Sequence, residues 1–138
     1  MIEEIRAYFK AVVNEVDSDY KEHDQYYTSE NIPENSIECT YFLKIGDFIS
    51  TRIDTNYDGS FDVTLELWKN GNNEVIKNLD KAYCIAIEIA DECQQQTRIS
   101  QTEFIKSVIA SGITNEAVES NDNAGKFTIQ FVVRVAYN

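Results

Sequence analysis

Near the C-terminus, Phe127, Ile129, Phe131, Val133, Val135 and Tyr137 occupy every second position. Between them stand Thr128, Gln130, Val132, Arg134 and Ala136. A helix would scatter such a set around its axis, whereas a strand points all six to one face. This segment therefore predicts a long strand with one buried face and one mildly polar face, and the rest of the chain must supply a cover for the first.

Two helical patterns qualify as that cover. Ile5, Phe9, Val12, Val13 and Val16 recur at three- and four-residue spacing, with Glu3 and Glu4 in the first turn, which predicts a helix over Ile2 to Val16. A second helix is predicted over about 73–96, where Val75, Leu79, Ala82, Ala86, Ile89 and Cys93 form a continuous stripe that Ile85 and Ile87 widen. Other segments alternate like the C-terminal one. Ile37 to Ile45 reads as a strand, Gly46-Asp47 as a turn, and Phe48 to Ile53 as the returning strand of a hairpin. Phe61 to Trp68 reads as a third strand, and Phe104 to Ala110 as a fourth that stops at Ser111-Gly112. Glu116 to Glu119 reads as a short extended piece, and Asn121 to Gly125 as a turn cluster. The expected fold is one α+β domain over residues 1–138, a mostly antiparallel sheet packed by an N-terminal helix and one long central helix.

Charge narrows the function. The formal net charge is −12, and a surface so acidic repels phosphate backbones. Residues 14–35 concentrate it: Glu15, Asp17, Asp19, Glu22, Asp24, Glu30 and Glu34 face Lys21 alone, in what reads as a solvated connection. No apolar run approaches the ~18 residues of a membrane span, and the first residues lack the order of a signal peptide. A soluble product that stays in the compartment of its synthesis is expected. The cysteines fit a reducing environment. Cys84 and Cys93 would lie roughly 13 Å apart on one helix, beyond disulfide reach. With Cys39 they are expected as small core residues.

Chemistry-bearing motifs are few. Asp54-Thr55-Asn56-Tyr57-Asp58-Gly59 with Asp62 matches the first half of a Ca²⁺-binding helix–loop–helix motif. The second half fails, because Leu65 stands where a bidentate Glu is needed. A hairpin turn, which wants Asn, Asp and Gly for local reasons, is the stronger reading of Asp54, Asn56, Asp58 and Asp62. No nucleophile, phosphate-loop or dinucleotide motif is present, so an enzyme is not expected and no cofactor is implied. Trp68 falls on the exposed parity of its strand, either packed under a helix or anchoring a protein interface.

Taken from end to end, the chain resembles the tail terminator (tail completion) proteins of long-tailed, lambda-type bacteriophages. The likeness rests on the opening helix leading through an acidic loop to Ile32-Pro33 and an alternating strand. It continues in Phe61-Asp62-Val63-Thr64-Leu65-Glu66-Leu67-Trp68 before the long helix, then in Phe104-Ile105-Lys106-Ser107-Val108-Ile109-Ala110-Ser111-Gly112. It closes with Ser120-Asn121-Asp122-Asn123-Ala124-Gly125 before the last strand. The Asp54–Asp62 loop departs from the family pattern. The resemblance implies a structural virion protein, made in the host cytoplasm. Six copies would form a ring on the head-proximal end of the tail tube, stop its polymerisation and meet the head connector. Partners would then be further copies of the chain, the tail tube protein and a head-closure or connector protein, with DNA passing through the lumen unbound and no membrane involved. On that view Gln130, Val132 and Arg134 suit a lumen lining or a subunit contact. The residues also leave open another neck component (a head-closure or adaptor protein), a Ca²⁺-dependent binding module and a small hydrolase.

Overall fold

A computed structural model describes residues 1–23, 39–53, 57–118 and 121–137. The elements run α1 (Ile2–Val16), β1 (Lys21–Glu22), β2 (Cys39–Ile53), β3 (Tyr57–Asn70), α2 (Val75–Cys93), α3 (Gln96–Ile99), β4 (Ile105–Val118) and β5 (Asn121–Tyr137). The strands form one sheet in the order β1-β2-β3-β5-β4. All neighbours pair antiparallel except β1, which runs parallel to β2 through Lys21–Thr40 and Glu22–Tyr41. The fold is α+β, as expected.

The C-terminal alternation organises the core. Phe127, Ile129, Phe131, Val133 and Val135 are all buried, and they meet Leu67, Leu65, Val63, Phe61 and Gly59 of β3 in register. Both long helices lie on this face. Phe9 of α1 sets its ring 4.9 Å from that of Phe131, and Tyr83 of α2 meets Phe127 edge-on at 5.6 Å. Burying one such aromatic stabilises the fold by roughly 1.5–3 kcal/mol. Polar side chains then lock the layers. Tyr8 donates a 2.6 Å hydrogen bond to the Cys93 carbonyl at the end of α2, where helical carbonyls lack partners. Glu4 accepts the backbone N–H groups of Glu103, Phe104 and Ile105 at 3.2, 2.8 and 3.4 Å. Arg98 joins Glu15 of α1 to Glu92 of α2, at 2.8 and 2.9 Å.

Several boundaries differ from expectation. Gly46-Asp47 is no turn: β2 runs straight through it, because Ile45 pairs with Val63 and Phe48 with Phe61 of the same neighbour. The one extra residue is absorbed as a bulge, and the hairpin joins β2 to β3. Ser111-Gly112 likewise sits in a register irregularity inside β4, which continues to Val118 alongside β5. The Asn121–Gly125 cluster belongs to β5 itself. The central helix is shorter than expected and is followed by the separate turn of α3. Cys93 is buried, but Cys84 is exposed and Cys39 only partly covered. Ile87 is also exposed, so the stripe of α2 is narrower than the sequence suggested. Residues 24–38, which hold most of the acidic connection, lie outside the described residues.

Candidate interaction surface

Because the helices occupy one face of the sheet, strand alternation sends the other set of side chains to an open face. Adjacent strands place Asp62, Val132 and Ile109 in one cross-strand row. The next row carries Ile49, Ser60, Arg134 and Ser107. Here Ile49 is 58% exposed, Ile109 56% and Val132 38%. Gln130, also exposed, accepts a 2.9 Å hydrogen bond from the Thr64 hydroxyl. Three of the sequence-selected residues, Gln130, Val132 and Arg134, therefore share one surface. Ile49 and Ile109 join them. Ile109 was visible in the sequence as an apolar residue in a strand, but its facing depended on the irregularities in β4.

At the other end of the same face the side chains are buried. Trp68 is 2% exposed and packs beside Phe42 and Ala124, so in this chain it is a buried residue and not an exposed anchor. Its ring meets Phe42 edge-on at 5.8 Å, and Lys126 Nζ lies 5.8 Å over it. Its Nε1–H donates to Glu66 Oε2 at 3.3 Å, while Lys44 Nζ donates to Glu66 Oε1 at 3.0 Å. Glu66 is only 6% exposed, and this pairing keeps a buried carboxylate satisfied. Sequence reasoning passed over Glu66, although the two-residue spacing to Trp68 places both on one face.

Of the loop motif, Asp58 and Asp62 are among the described residues, and these two do not converge. Asp58 and Asp62 stand four residues apart on β3, so their Cα atoms are separated by roughly 13 Å. Asp58 is engaged by Arg134, and Asp54 and Asn56 lie outside the described residues. Among the described residues no three His, Cys, Asp or Glu side chains gather as a metal site. A cavity of about 80 Å³ between α2 and the start of β2 is lined by Tyr20, Cys39, Lys69 and Lys81 among others. Lys69 Nζ lies 3.3 Å from the Cys39 sulfur. Burial nonetheless pushes this thiol up, with the lysine opposing it, so the group stays protonated and a poor nucleophile. No helix among the described residues is long and apolar enough to cross a membrane.

No protein-family model matches the chain, and no curated protein matches it. A solved structure does. A chain of the virion of native gene transfer agent (GTA) particle superposes with a TM-score of 0.62, covering 99% of this chain and 91% of that one. Identity is 11%, so what the two share is the fold.

Proposed function

We propose that this chain is a structural virion protein that caps the head-proximal end of a phage tail tube as a hexameric ring. In this role it stops tube polymerisation and joins the tail to the head connector. The observation that carries the reading is the fold likeness, over nearly the full length of both chains, to a component of a gene transfer agent virion. The order of helix, strands, long helix and strands, which resembles the tail terminators, supports it independently. Charge is compatible as well. Six copies would carry 6 × −12 = −72 formal charges, and an acidic lumen lets DNA slide without sticking.

The partners follow from the role: further copies of the chain, the tail tube protein below and a connector or head-closure protein above. The test has two arms. Light scattering and negative-stain images should find rings of 6 × 15.8 = 94.8 kDa with a central hole. Phage lacking the chain should make tails of uncontrolled length, and complementation should restore the length. Normal tail lengths without the chain would move it to another neck position, such as head closure.

A further inference from the structure

The open face of the sheet differs in charge from the rest of the chain. Register places the cations Lys21, Lys44, Lys126 and Arg134 on it, against the anions Asp58, Asp62, Glu66 and Glu116. Three of these pair directly across strands: Lys44 with Glu66 at 3.0 Å, Arg134 with Asp58 at 2.8 Å and Lys126 with Glu116 at 3.5 Å. Charge on this face is thus cancelled locally by pairing, in a chain whose net charge is −12. Beside these pairs the sheet projects Ile49, Ile109 and Val132, each more than a third exposed. The outer side of α2 also exposes isoleucines, Ile76 and Ile87, but among the exposed acids Asp80, Glu88 and Asp91.

We infer that the open sheet face, around Ile49, Ile109 and Val132, is the surface through which one copy of the chain grips the next. Copies of a strongly acidic chain repel one another, and self-contact is favoured where the charge is already cancelled and apolar area can be buried. The contact is head-to-tail, since a ring needs two different surfaces on each copy and a face meeting its own twin closes a dimer. This rests on the ring reading for its stoichiometry only. It also selects between the two roles open to Gln130, Val132 and Arg134: they meet a neighbouring copy, and the lumen is lined elsewhere.

The experiment compares Val132→Asp and Ile109→Asp with Ile76→Asp on α2, by sedimentation over a range of protein and salt concentrations. The milder Val132→Thr and Ile109→Thr cover the case in which an aspartate unfolds the chain, which melting curves reveal. The wild-type chain should associate more strongly as salt screens the repulsion. Both sheet-face aspartates should weaken association at least tenfold, the threonines less, and Ile76→Asp should leave it unchanged. Association that survives all four sheet-face variants, or that Ile76→Asp removes instead, overturns the assignment while leaving a ring in place. A wild-type chain that stays monomeric at every salt concentration overturns self-contact altogether. The tail-length assay then judges the capping role separately.

Discussion

Arg134 on β5 donates from Nε and Nη2 to the two carboxylate oxygens of Asp58 on β3, at 3.2 and 2.8 Å. The pair joins the loop motif to the C-terminal strand, two features the sequence presented as unrelated. It holds the Arg134 guanidinium above its usual pKa, chiefly through the hydrogen bond to Asp58. It also occupies the carboxylate that a Ca²⁺ loop would need. Asp58→Ala should therefore leave the melting temperature equally insensitive to Ca²⁺ and to chelator. A Ca²⁺-induced rise in the wild-type chain that Asp58→Ala removes would restore the loop as a cation site.

Neighbouring positions on β5 should respond in opposite ways. Phe131 is 1% exposed against Phe9, whereas Val132 points to the open face. Phe131→Asp strips out a core aromatic and buries an unpaired charge, each costing several kcal/mol, and should abolish folded protein. Val132→Asp should change stability by about 0.5–1 kcal/mol and keep the circular dichroism spectrum. Equal unfolding by both would mean that the second face is buried too.

Gly59 leaves room for β2 where a side chain would collide with it. A Cβ there would sit 2.5 Å from the Ile49 carbonyl oxygen and 2.5 Å from the Phe48 ring. The oxygen belongs to backbone held in the sheet, so it cannot swing aside as a side chain could. Gly59→Ala should destabilise the chain by about 1–3 kcal/mol in urea unfolding. A neutral result would show that β2 shifts freely around its second irregularity, between Ser50 and Arg52.

The Glu15–Arg98 bridge gives stability a defined pH dependence. The hydrogen bond from Arg98, reinforced by its charge, holds the Glu15 carboxyl below its ordinary pKa of 4.5. A group lowered in the folded state stabilises it above the unfolded pKa, and that contribution is lost as pH falls through the folded value. Glu15→Gln should be less stable than wild type at neutral pH. The two unfolding midpoints should converge as pH falls below the ordinary carboxylate value of 4.5. A gap that persists in acid would assign the effect to packing.

What the sequence determined by itself was local in origin. The alternation of Phe127 to Tyr137 names a strand and its buried face, because side-chain direction in a strand depends only on parity. The spacing of Ile5, Phe9 and Val12, and of Ala82, Ala86 and Ile89, likewise named two helices and their covered sides. The tertiary structure decided what depends on a partner. Gly46-Asp47 carries the chemistry of a turn, yet β3 keeps pairing beyond it and β2 stays extended. Ser111-Gly112 and Asn121–Gly125 are overruled in the same way by the pairing of β4 with β5. Trp68 has the parity of an exposed residue, but Phe42 reaches it from a strand far away in sequence. The pairing of charges across the open face is also beyond any local reading. Lys44 finds Glu66, Arg134 finds Asp58 and Lys126 finds Glu116 only after register has brought distant strands side by side.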